Sequence, residues 1–161
     1  MSASGIIECL DRLLADYDSL LEIGLRKQKA IIEGNTSELQ RVDALERQAA
    51  ESSSRHESEL VRAIAANAAP GCDITVTTVL GSIAGADDRT GIVQRRDRLA
   101  MLVRRVADVS RNNRELIEQS LAYVNYSLEM YTGETGDRAT YNSASDRYQG
   151  PAGAGRYNIR I

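Results

Sequence analysis

Apolar residues keep helical spacing over most of residues 6–131. Ile6, Leu10, Leu13, Tyr17, Leu20, Gly24 and Leu25 recur at threes and fours and close on Ile31 and Ile32. Ile7, Leu14 and Leu21 form a second row that widens the stripe. No proline interrupts this run, so it predicts one helix of about 28 residues, roughly 42 Å long. Gly34 stands where a helix C-terminus takes a left-handed residue, and Asn35 followed by Glu38 predicts the capping box of a second helix. So short a turn makes the two helices antiparallel.

The second helix, over 36–67, has inward positions at Leu39, Val42, Leu45 or Glu46, Ala49, Ser53, His56, Leu60 and Ile64. Its middle, Ala49 to Glu59, is nearly all small or polar, which permits close approach and little apolar burial. Pro70-Gly71 ends it. The β-branched ITVTTVL that follows has no second strand to pair with, so Asp73 or Thr75 capping a short helix through Ala84 is the consistent reading.

A third helix starts near Asp88 and runs to Tyr131. Its inward positions are Leu99, Leu102 or Val103, Val106, Val109, Asn113, Leu116 or Ile117, Ser120, Val124 and Leu128. The predicted fold is all-α: an antiparallel helical hairpin plus a long third helix, in an elongated, coiled-coil-like three-helix bundle. The bundle domain covers 1–131, with helices over 6–33, 36–67 and 88–131 and a connector at 68–87. Residues 132–161 have five glycines and no Leu or Val, and predict a disordered C-terminal tail.

The bulk composition narrows the function classes. The 161 residues carry 27% charged side chains and a net charge of −3, with neither Phe nor Trp, so Leu, Ile, Val and Ala do the burying. That balance recommends neither nucleic acid nor an anionic membrane as partner. The arginines clustered between 95 and 114 read as a solvated face paired with acids on the first two helices. Cys9 and Cys72 show no metal or disulfide spacing and read as reduced thiols. The N-terminus lacks the basic start of a signal peptide, and no run is long and apolar enough to span a bilayer, so a soluble cytoplasmic protein is expected. The lone histidine, His56, has no carboxylate or cysteine cluster around it and reads as a packed or exposed helix residue. Without a converging nucleophile, base or ligand set, the chain reads as no enzyme, with no metal and no cofactor.

Length then becomes informative. The third helix, at about 43 residues, exceeds the first by roughly 20 Å at 1.5 Å per residue. Its richest apolar band, Ile117, Leu121, Val124, Leu128 and Tyr131, lies at the far end. A stripe that outruns its intramolecular partners predicts a surface for an outside helix. Polar breaks at Ser110, Asn113 and Ser120 suit exchange more than permanent pairing.

Three segments carry a family resemblance. KQKAIIEGNTSELQRVDALERQ (27–48) resembles the hairpin of FlgN-type flagellar export chaperones, and NNRELIEQSLAYVNYSLEMY (112–131) resembles the terminal helix of that family. TYNSASDR (140–147) is similar to the tails of Gram-positive-type members. The resemblance implies a cytosolic chaperone that binds the C-terminal helical segments of hook-associated (hook–filament junction) proteins. It would prevent their premature self-association and deliver them to the type III export gate. It places Asn113, Leu116, Ile117, Ser120, Leu121, Val124 and Leu128, with Tyr131, in the cargo-binding helix, and a tail tyrosine, Tyr141, in gate docking. The competing class is a structural coiled-coil adaptor that homodimerises through the third helix.

Overall fold

The computed structural model describes residues 3–66, 76–81, 83 and 85–132. Three long helices, α1 (Ala3–Ile32), α2 (Thr36–Ala65) and α4 (Ala86–Thr132), and one short helix, α3 (Val76–Leu80), make an all-α bundle. Cys72, half of the connector and residues 133–161, with Tyr141, lie outside the described residues.

α1 is the middle of the bundle. Both α2 and α4 pack along it, while α2 and α4 hardly approach each other. Its two rows of apolar residues make this possible, because one row alone could cover only one neighbour. Ile6, Leu10, Leu13, Tyr17 and Leu20 are almost completely buried, and Leu14 and Leu21 join them. Leu25, expected in the stripe, and Ile32, expected to close it with Ile31, are exposed; Ile31 is half-buried and Ala30 is buried. Leu60, Ala63 and Ile64 of α2 and Ile92, Leu99, Leu102 and Val106 of α4 complete the core, with Val76 of α3 sealing one end.

The α1–α2 turn follows from its three residues. Gly34 has φ 64°, which favours a residue without a Cβ. Its N–H donates to the Ile31 carbonyl and that of Asn35 to the Ala30 carbonyl, the paired bonds of a Schellman ending. Asn35 then caps α2, its Oδ1 accepting from the Glu38 N–H at 3.0 Å. The reciprocal half of the expected capping box is absent: the Glu38 carboxylate pairs with Arg26 across the hairpin, and the Asn35 N–H is already used. That contact holds the Glu38 carboxyl below its usual range.

Pairings along the helices give their directions. Arg12 meets Glu59, Asp16 meets His56, and Lys27 meets Asp43 and Glu46, so α1 and α2 are antiparallel. Arg95 meets Asp11, Arg98 meets Asp18, and Asn113 reaches Gly24, so α1 and α4 are parallel. The expected pairing of arginines with acids is therefore made to α1, and also within α4, where Arg111 meets Asp108 and Arg114 meets Glu118.

The polar middle of α2 is better anchored than its composition suggests. Tyr17 donates to Glu57 at 2.8 Å, Ser52 donates to Asp16 at 3.2 Å, and His56 Nδ1 lies 2.5 Å from the same Asp16 carboxylate. His56 thus has a carboxylate partner, which the hairpin brings from 40 residues away. Of the alternatives Leu45 and Glu46, the less exposed is Glu46, because it pairs with half-buried Lys27. Burial alone would lower the Lys27 pKa; the bonds to Glu46 and Asp43 outweigh it and raise the ammonium above its ordinary value.

Candidate partner-binding site

The α1–α4 seam ends before α4 does. At the last fully buried level, Gly24 lets the helices approach so closely that an added Cβ would stand 2.9 Å from Val109 Cγ1. Asn113, 3% exposed, donates from Nδ2 to the Gly24 carbonyl at 2.8 Å. α1 stops about two turns later at Ile32, and α4 continues to Thr132. About 12 residues, roughly 18 Å at 1.5 Å per residue, therefore project beyond the end of α1.

The eight residues assigned from sequence divide along this boundary. Asn113 is inside the seam, and Leu116 and Ile117 are half-buried at its mouth. Ser120, Leu121, Val124, Leu128 and Tyr131 are exposed, Leu121 by 58% and Tyr131 by 90%. The exposed row stands on the face that upstream carries Ile92, Leu99 and Val106 into the core. It is bare because the buried seam with α1 has ended, not because the pattern has changed. A row of exposed aliphatic residues in helical register has the form on which an amphipathic helix can dock.

Tyr126 and Met130, with Tyr123, form a further exposed apolar row that reading one stripe alone misses. Their spacing of three and four was the available signal.

Elsewhere the chemistry does not converge. Ser52 and His56 both bind the Asp16 carboxylate, so neither activates the other. Cys9 is free and buried; burial, Glu59 and Glu8 raise its thiol pKa, against the nearby Arg12. The shallow groove beside it is spanned by the Arg12–Glu59 ion pair. No group of acids, Cys or His among the described residues is placed to hold a metal ion. No helix among them is long and apolar enough to cross a membrane.

With the projecting helix in view, the comparisons decide the family. The family model described as "FlgN protein" matches residues 1–148. The chain belongs to the FlgN family. FlgN proteins are a family of flagellar export chaperones, so the chain's broad role is that of a flagellar export chaperone, and its partner is a flagellar protein. The match spans all three segments that carried the resemblance. A relative from Bacillus subtilis (strain 168), named "Uncharacterized protein YvyG", is 25% identical over 130 residues, 81% of each chain. No solved structure matches the chain.

Proposed function

We propose that this FlgN-family chaperone binds the C-terminal helical segment of hook-associated junction proteins on the projecting end of α4. It shields that segment from self-association in the cytoplasm and hands it to the flagellar type III export gate. The observation that carries this reading is the exposed row Leu121, Val124 and Leu128, in line with the bundle's own core and unpartnered beyond Ile32. A client helix laid there continues the path of α1 and buries the stripe that α1 leaves bare. Ser120 and Tyr131 flank the contact, Leu116 and Ile117 form its mouth, and Asn113 sets the seam behind it. Tyr141 is the residue assigned to gate docking.

The test is the mass of the complex by light scattering, with the full chain alone and mixed with a junction-protein C-terminal fragment. A new 1:1 species supports the reading. A stable dimer unmoved by the fragment sinks it in favour of the homodimeric scaffold. Leu121→Asp should abolish binding while helicity stays at the wild-type level, because that side chain contributes little to the fold. Tyr141→Ala should leave client binding intact and reduce export.

A further inference from the structure

We infer that the projecting end of α4 is clasped by two amphipathic helices from one client, the second lying on Tyr123, Tyr126 and Met130. This inference rests on the proposed client binding and adds the client's form and charge.

The first observation is the width of the exposed apolar surface. At 100° per residue, Tyr123, Tyr126 and Met130 lie roughly 150° around the helix from Leu121, Val124 and Leu128. Between the rows, on one side, stand Leu116, Ser120 and Ser127, none of them charged. The uncharged arc is therefore roughly 220° wide at that residue spacing, about twice the stripe with which a helix usually meets its core. One straight client helix covers one row only. Two helices side by side cover both, meeting over the small residues Ser120 and Ser127.

The second observation is that this width belongs to the projecting end alone. Where α4 lies on α1, its outer face carries Arg104, Arg105, Asp108 and Arg111, all exposed. Beyond the seam the corresponding face carries the two tyrosines and Met130, exposed by 72%, 61% and 70%. Single-sided packing needs no apolar outer face, and upstream α4 has only the isolated Met101 there, among charged residues.

Charge then selects the occupant. From Glu115 to Thr132 the only charged residues are Glu115, Glu118 and Glu129, all on the remaining narrow arc. A second copy of the chain brings the same acids; antiparallel pairing of two projecting ends would set Glu118 against Glu129 and repel. A client whose helices carry Lys or Arg beside their apolar stripes meets this edge favourably.

The experiment uses the full-length chain, a junction-protein C-terminal fragment as probe, and the variants Leu121→Asp, Tyr126→Asp and Met130→Asp. Each should keep wild-type helicity and weaken binding by at least about tenfold, 1.4 kcal/mol, in a complex of one chain with one fragment. Loss with Leu121→Asp but wild-type affinity with Tyr126→Asp and Met130→Asp overturns the two-sided clasp and leaves the proposed function standing. Failure of the wild-type chain to bind the fragment overturns both. A complex with two fragments replaces one client by two. Hydrogen exchange of residues 115–132 should be fast in the free chain. Slow exchange there that depends on concentration assigns the second face to another copy, and slow exchange that does not assigns it to residues 133–161; either overturns the inference.

Discussion

The Asn113 side-chain amide donates to the Gly24 carbonyl at 2.8 Å, at the last level where α1 and α4 share a buried seam. The bond is buried and ties two helices far apart in sequence, so it acts as the end-stop of the bundle. Asn113→Ala should cost about 1–2 kcal/mol, from the lost bond and the space left behind. Thermal melting should show this as a fall of a few degrees. Client affinity should persist, since Asn113 faces α1; loss of binding at unchanged stability would place it in the docking surface.

Gly24 sets the spacing at the same level. An alanine Cβ there would stand 2.9 Å from Val109 Cγ1, and a β-branched side chain yields poorly. Overpacking of about 1–3 kcal/mol should outweigh the roughly 1 kcal/mol gained in helix propensity. Gly24→Ala is therefore expected to destabilise modestly, and Val109→Ala added to it should restore much of the loss. Denaturant titration of the four members of the cycle measures the coupling; strictly additive effects would refute the close approach.

Glu57 gives stability a pH signature. Burial raises its pKa above the ordinary carboxyl value; the Tyr17 hydroxyl bond opposes this and the nearby Asp16 charge adds to it. The folded state then holds the proton more tightly than the unfolded chain. The resulting contribution is fully present below the unfolded carboxyl pKa, about 4.3, and is lost as pH rises through the folded value. Glu57→Gln removes this dependence and keeps an acceptor for Tyr17. The melting temperature of the variant relative to wild type should be higher at pH 7 than at pH 4, and a constant difference would contradict it.

The two ends of the apolar pattern should respond oppositely to truncation. Leu13 is completely buried, and Leu13→Ala should cost about 2–5 kcal/mol in urea unfolding. Leu128 is half exposed on the projecting end, and Leu128→Ala should stay within about 0.5 kcal/mol of wild type. A large loss at Leu128 would mean that the stripe is covered in the free chain.

Local spacing alone determined that this chain makes three long helices, that Gly34 and Asn35 form the turn between the first two, and that an apolar stripe runs on through Leu128. Those features depend on a residue's near neighbours and on the 3.6-residue period, both written in the sequence. The same spacing overstated α3, which covers only Val76–Leu80, and ran the core stripe of α1 out to Leu25 and Ile32.

Only the tertiary structure decided that α1 is the central helix, that α4 runs parallel to it, and that their seam stops at Asn113. It also gave His56 its carboxylate and divided one continuous helix face into buried core and free surface. A residue's periodicity states which face it occupies, but its burial depends on how far the neighbouring helix extends. Ile92 and Leu128 share a face of α4, and only the end of α1 at Ile32 separates the one as core from the other as exposed surface.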